Sequence, residues 1–283
     1  MNKNASIVNH NRQKKVAVIN DFSSFGRCSL AAALPIFSAL KVQCCPVPTA
    51  VFTNHTGFEH FSWYDCSDKL DNYIADWKAT GLEFSAIASG YLSSMLQLDF
   101  VEQFIKAFKK DATLIVVDPV MGDYGRLYPT FKDDVAKGLR RLLSFADILT
   151  PNLTEASILA GRKYDENLSD GELLALAEQL CEKNARGCVI SGVPRADHLA
   201  NFVFSKSDGP SVVTAPRIGR DRSGTGDVFS CVVTGELLRG KNLTQAVEKA
   251  AEFVTATIQR AVDMEIPLTD GLPFEETLSM LWS

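Results

Sequence analysis

The sequence predicts an α/β fold built on a doubly wound, mostly parallel central sheet, and three observations carry that prediction. Short runs rich in Val, Ile and Ala alternate with longer stretches of helical periodicity, the order of successive β-α-β units. The runs are apolar throughout instead of alternating with polar residues, as in strands covered on both faces. The 283 residues, 46% of them hydrophobic, are enough for one large core, and no shift of composition divides them in two.

In chain order, strands are expected at Lys15–Asn20, Val42–Val47, Phe84–Ser89, Thr113–Asp118, Ile148–Thr150 and Cys188–Ser191. Helices over Leu30–Leu40, Leu96–Lys110 and Leu173–Lys183 fall between them. After Ser191 the pattern changes: Leu199–Phe204 and Ser211–Ala215 flank the turn-rich Lys206–Pro210, which predicts an antiparallel hairpin. Two helices, Asp227–Leu238 and Leu243–Ala261, close the chain. The polar opening, residues 1–14, reads as a flexible tail with no signal-peptide or anchor pattern, leaving 15–283 as a single domain.

A net charge of −5 argues against a nucleic-acid surface, which needs a clustered basic footprint. No apolar stretch reaches the roughly 18 residues of a membrane span, so a cytoplasmic protein acting on small molecules is expected. Seven cysteines without a Cys-x-x-Cys pair fit neither a disulfide framework nor a zinc site, and four histidines form no cluster. A metal ion would fall to carboxylates.

Ligands of such sheets bind beyond the carboxyl ends of the strands, which directs attention to three segments. In Asp221-Arg222-Ser223-Gly224-Thr225-Gly226-Asp227, glycines free the backbone N–H groups to converge on an anion at a helix start, and Asp227 stands where an acid could take a proton from an alcohol. The same acid could instead favour the helix dipole and nothing more. Asp118-Pro119-Val120-Met121-Gly122-Asp123 brings a carboxylate off a central strand, Asp118 being the better candidate for a magnesium–phosphate complex and Asp123 equally suited to capping a turn. In Thr150-Pro151-Asn152-Leu153-Thr154-Glu155, Asn152 and Glu155 could share a metal's hydration shell or form a helix-start capping box. A P-loop and the protein-kinase signatures are absent, so phosphoryl transfer would need another architecture.

Together these residues resemble the ribokinase superfamily, and within it the pyridoxal (vitamin B6) kinases. Gly224–Asp227 is similar to the Gly-Thr-Gly-Asp signature, Asn152–Glu155 to Asn-x-x-Glu, and Asp118–Gly122 to Asp-Pro-Val-Met-Gly. Phe52-Thr53-Asn54-His55-Thr56-Gly57-Phe58 and Ser89-Gly90-Tyr91-Leu92 resemble segments of the vitamin B6 kinases more specifically. The resemblance implies a ribokinase-like kinase, cytoplasmic and homodimeric, that uses ATP and Mg2+, with a monovalent cation (K+ or Na+), to phosphorylate the 5'-hydroxymethyl group of a B6 vitamer. Carried over, Asp227 is the base and Gly224, Thr225 and Gly226 the anion hole. Asp118 and Glu155 serve metal and phosphates; Asp123, Tyr128, Thr150, Asn152 and Ser191 lie on the nucleotide side. Phe52, Thr56 and Tyr91 line the ring pocket, and Asp21 stands where the family's serine–histidine pair follows the first strand, as a charged partner for the ring. A hydroxymethylpyrimidine kinase, whose substrate is also a flat ring bearing CH2OH, is the alternative; a non-catalytic nucleotide- or vitamin-binding protein is the rival from another class.

Overall fold

The computed structural model of the protein describes residues 9–128, 131 and 133–282. β1 (Lys15–Ser23) is an inner strand of the sheet. Val16 and Val18 point into one core and Ala17 and Ile19 into another, because successive side chains of a strand leave on opposite faces. Its parallel neighbours are β2 (Gln43–Phe52) and β4 (Ala86–Ser89), followed outward from β4 by β5 (Leu114–Val117), β8 (Ile148–Leu149) and β9 (Gly187–Pro194). Antiparallel strands finish both edges, β3 (Trp63–Asp65) on β2, and β10 (His198–Ser205) and β11 (Gly209–Pro216) on β9. A small hairpin, β6 (Gly122–Asp123) with β7 (Arg126–Leu127), stands apart from this nine-stranded sheet.

Helices cover both faces. α1 (Ser29–Ala39), α7 (Thr225–Leu238) and α8 (Leu243–Asp263) bury Phe37, Val232 and Phe253 against Val16, Val18 and Val116. The opposite face carries α2 (Leu70–Thr80), α3 (Met95–Phe108), α4 (Asp133–Gly138), α5 (Leu153–Ala160) and α6 (Asp170–Leu180), with Phe104 and Phe202 in its core. Phe37, Phe104, Phe202 and Phe253 are each fully buried, which stabilises the fold by roughly 1.5–3 kcal/mol per ring. The expected doubly wound sheet and the antiparallel hairpin are both present.

Several boundaries differ from expectation, each for a visible reason. β1 runs three residues beyond Asn20 because its register against β2 shifts between Asn20 and Phe22. β2 continues through Pro46 and Pro48, which are tolerated because β3 pairs only with Ala50–Phe52 and the earlier part of the strand is a free edge on that side. α6 begins before Leu173 because Ser169 and Glu172 form a capping box at its start. Of the expected tail, residues 1–8 lie outside the described residues, whereas Asn11 bonds to Gly81 O and receives Glu83 N–H, tying the following stretch to the body.

All seven cysteines are free thiols, five of them buried. Among the described residues, no helix is long and apolar enough to cross a membrane. The carboxyl ends of β1, β4, β5, β8 and β9 gather at one edge of the sheet, where α7 also starts.

Candidate active site

The start of α7 is shaped by two glycines that do different work. Gly224, its N-cap, has φ +79°, and a Cβ there would sit 2.3 Å from Arg27 O, so conformation and space both demand glycine. Gly226 needs neither: its φ is not positive, and a Cβ would meet nothing within 4 Å. Its missing side chain leaves open space beside the helix's unpaired N–H groups. The Thr225 hydroxyl donates to Arg222 O at 2.8 Å and braces the turn.

Asp227 is half-buried in the first turn. Asn20 Nδ2 donates to its Oδ1 at 3.1 Å, and the Ser29 amide donates to the same carboxylate. Desolvation outweighs these bonds and raises its carboxyl above the usual range. Ser29 reaches it from a backbone at φ +51°, in a segment where Gly26 and Arg27 also have positive φ. The Asn20 contact was not recognised in the sequence, where nothing pairs residues so far apart.

Asp21 is placed otherwise than expected. It is 5% exposed, Oδ1 accepting from the Ser29 hydroxyl at 2.6 Å and Oδ2 from the Ser23 hydroxyl at 2.9 Å. An acid so enclosed ties the Ser23–Ser29 segment together. Burial, reinforced by the Asp227 charge, pushes it up to about 6. A carboxyl raised in the folded state contributes full stability below its unfolded value and loses it as pH climbs through the folded one. Asp21→Asn should therefore gain stability relative to wild type between pH 4 and pH 7, by roughly 3 kcal/mol. Urea unfolding of both proteins across that range checks this; a pH-independent difference contradicts it.

Asp118 leaves β5 almost wholly buried, with the hydroxyls of Thr150 and Ser230, 3.1 Å from each other, both bonded to it. Desolvation and then the charges of Glu155 and Asp227 hold its carboxyl well above the usual range. Burial also pushes Glu155 up to about 8, although its Oε1 accepts Met121 N at 3.1 Å and Oε2 accepts Asn152 N at 2.8 Å. Asn152 Oδ1 accepts Glu155 N and its Nδ2 donates to Gly122 O at 2.8 Å, completing the capping box and pinning the β6–β7 hairpin. Of the two readings of this segment, the capping geometry is the one observed, and the Asn152 amide is occupied by backbone partners.

One cavity of about 530 Å³ joins these groups, within the range of small-molecule sites. Asp118, Asp123, Tyr128, Thr150, Asn152, Glu155, Ser191 and Gly224–Asp227 all line it. Its apolar lining includes Val193, Leu199, Phe229, Val254 and Ile258. The β6–β7 hairpin arches across the mouth, with Gly125 N donating to Thr154 Oγ1 at 2.9 Å and the Tyr124 hydroxyl bonded to Asp221. The remaining expected ring contacts are not among the lining residues. Phe52 is buried against Trp63, and the Tyr91 ring packs 5.9 Å from Phe131. Thr56 lies in the loop after β2, whose Gly57 approaches Ser223 beside the glycine turn. His55 anchors that loop: its Nδ1 accepts Gly57 N, so Nε2 carries the proton and donates to Thr269 O at 2.7 Å.

The profile of the family described as phosphomethylpyrimidine kinase matches residues 25–268. The chain belongs to this family. A hydroxymethylpyrimidine/phosphomethylpyrimidine kinase of Rhizobium meliloti is 30% identical over 252 residues, covering 86% of this chain and 90% of that one. Among solved structures, a Bacteroides thetaiotaomicron protein provisionally assigned as a phosphomethylpyrimidine kinase, crystallised with pyridoxal, superposes with TM-score 0.92 at 36% identity, covering 95% of this chain and 96% of that one. Pyridoxal kinase of Lactobacillus plantarum superposes with TM-score 0.87 at 26% identity, covering 95% and 96%. The resemblance to vitamin B6 kinases read from the motifs thus holds at the level of the family, and this member of the phosphomethylpyrimidine kinase family is a phosphotransferase with an alcohol acceptor.

Proposed function

We propose that the protein transfers the γ-phosphoryl group of ATP to the 5'-hydroxymethyl group of pyridoxal, pyridoxine or pyridoxamine, with Asp227 as general base. The observation that carries this reading is the single cavity in which Asp227 and the open first turn of α7 share walls with Asp118, Thr150 and Ser191. An alcohol beside Asp227 Oδ2 would deliver its proton there, since Asn20 already binds Oδ1. The N–H groups around Gly224–Gly226 would hold the charge of the transferred phosphoryl group, and the apolar lining would cover the adenine.

The acidic residues fit magnesium. Asp118 and Glu155, both held protonation-prone by burial and, at Asp118, by mutual repulsion, present carboxylates that a cation would relieve. Among the described residues no group of three or more His, Cys, Asp and Glu is arranged to hold an ion, which suits a metal that keeps waters and phosphate oxygens as ligands. Asp118 and Glu155 would hold it, and when bound it neutralises charge on the ATP oxygens. A monovalent cation, K+ or Na+, belongs to the same proposal, and no step runs through it.

The pyridoxal found with the Bacteroides protein favours a B6 vitamer; the name of the Rhizobium relative favours hydroxymethylpyrimidine. A coupled ADP-release assay with pyridoxal, pyridoxine, pyridoxamine and hydroxymethylpyrimidine separates them. Highest kcat/KM on a pyridine is expected; highest on the pyrimidine reverses the assignment, and silence on all four leaves the non-catalytic binder. The proposal extends to residues 15–283 acting as one domain, cytoplasmic, in a homodimer. The exposed edge strand β3, with Trp63 57% and Tyr64 76% exposed, supports a covering partner copy.

A further inference from the structure

We infer that Asn20 is a positioning residue that aims the Asp227 carboxylate. The inference rests on Asp227 being the base, and the orientation of the Asn20 amide is fixed by its own bonds. Its Oδ1 accepts two backbone N–H groups, Asp21 N at 2.9 Å and Tyr91 N at 2.8 Å. A flipped amide would turn N–H against N–H at both contacts and oxygen against a carboxylate at the third, so Nδ2 must face Asp227 Oδ1.

The amide is also held by packing. A Cβ on Gly90 would lie 2.4 Å from Asn20 Nδ2, so the side chain lies flat over a residue that has none. Asn20 and Gly90 sit at the carboxyl ends of β1 and β4, adjacent parallel strands. The donor is therefore clamped between two adjacent inner strands of the sheet, while its acceptor belongs to a different element, α7. Together with the Ser29 amide it fixes the orientation of the carboxylate presented to the acceptor alcohol.

The bond also favours the ionised form of a base that burial pushes toward its neutral form. The titratable groups facing Asp227 are Asp21 from β1, Cys28 before α1, Asp118 after β5, Tyr128 after β7, Cys231 on α7 and His55 from the loop after β2; burial keeps the two thiols and the phenol neutral, so they add no charge. Losing Asn20 Nδ2 should leave the desolvation of Asp227 less compensated.

Asn20→Asp and Asn20→Ala test this. Asn20→Asp keeps the shape and both acceptor bonds but replaces the donor by a carboxylate, so a purely structural role predicts a working enzyme. The expected result is a kcat about 10- to 100-fold lower in Asn20→Ala and lower still in Asn20→Asp, KM for ATP within about twofold, and the acidic limb of kcat moved to higher pH. Carboxyl-carbon NMR titration of Asp227, which needs no substrate, should move the same way in both. Wild-type kcat and an unmoved Asp227 titration in Asn20→Asp overturn the inference, even if Asn20→Ala fails to fold. A wild-type protein inactive on every acceptor sinks the phosphotransfer reading instead, and the titration still decides whether Asn20 governs Asp227.

Discussion

Asp227→Ala should lower kcat by roughly 10²–10⁴-fold while leaving ATP affinity close to wild type. The carboxylate sits at the first turn of α7, past the turn that would take the phosphates, so its loss removes a proton acceptor and leaves the anion-binding backbone in place. The fold should not suffer. Asp227 raises the carboxyls of Asp21 and Asp118 through like-charge repulsion, so its removal relieves two buried neighbours. Thermal melting at neutral pH should show a Tm at or above that of wild type, and the acidic limb attributable to Asp227 should vanish from the pH profile. Turnover near the wild-type rate would assign the proton transfer to another group.

Gly224→Ala and Gly226→Ala should fail in opposite ways. At Gly224 the new methyl meets Arg27 O at 2.3 Å and Cys28 Cα at 3.1 Å, in a left-handed backbone that already costs an L-residue about 1–2 kcal/mol. With the backbone clash added, a loss of about 3 kcal/mol or more of stability is expected. At Gly226 the methyl meets no protein atom and a helical alanine is favourable, so stability should be unchanged or slightly higher. The methyl would, however, occupy space beside the N–H groups, where a phosphoryl group would need close approach, and kcat should fall by roughly 10²–10³-fold. Chemical denaturation and steady-state kinetics on both variants check the contrast. An active Gly226→Ala would mean that the open space is not where the phosphoryl group passes.

The sheet and the cavity residues at its carboxyl edge were legible because the chain announces them locally. Asp118, Thr150 and Ser191 each come directly off an apolar run, and adjacent parallel strands bring such positions to one edge without further information. The surroundings of Asp21 and Phe52 were not legible in the same way. Counting alternate residues along β1 assigns each side chain to a face only while the register is regular, and the shift between Asn20 and Phe22 breaks that count where Asp21 and its neighbours enter the site. Asp21 is drawn to serines that lie on its own strand and at the start of α1, and Phe52 is drawn into an aromatic cluster at the sheet edge. Likewise α2 escaped notice because its inward residues are only partly covered, apart from Leu70 at its first turn. The Asn20–Asp227 bond spans 207 positions, and only the assembled sheet brings its ends together.

The most direct measurement is a proton-coupled ³¹P NMR spectrum of the product formed from ATP, magnesium and pyridoxal. Transfer to the hydroxymethyl oxygen predicts a phosphomonoester resonance split by the two protons of the adjacent CH2, appearing in step with ADP. ADP accompanied only by inorganic phosphate would contradict the assignment, because the cavity would then be passing the phosphoryl group to water.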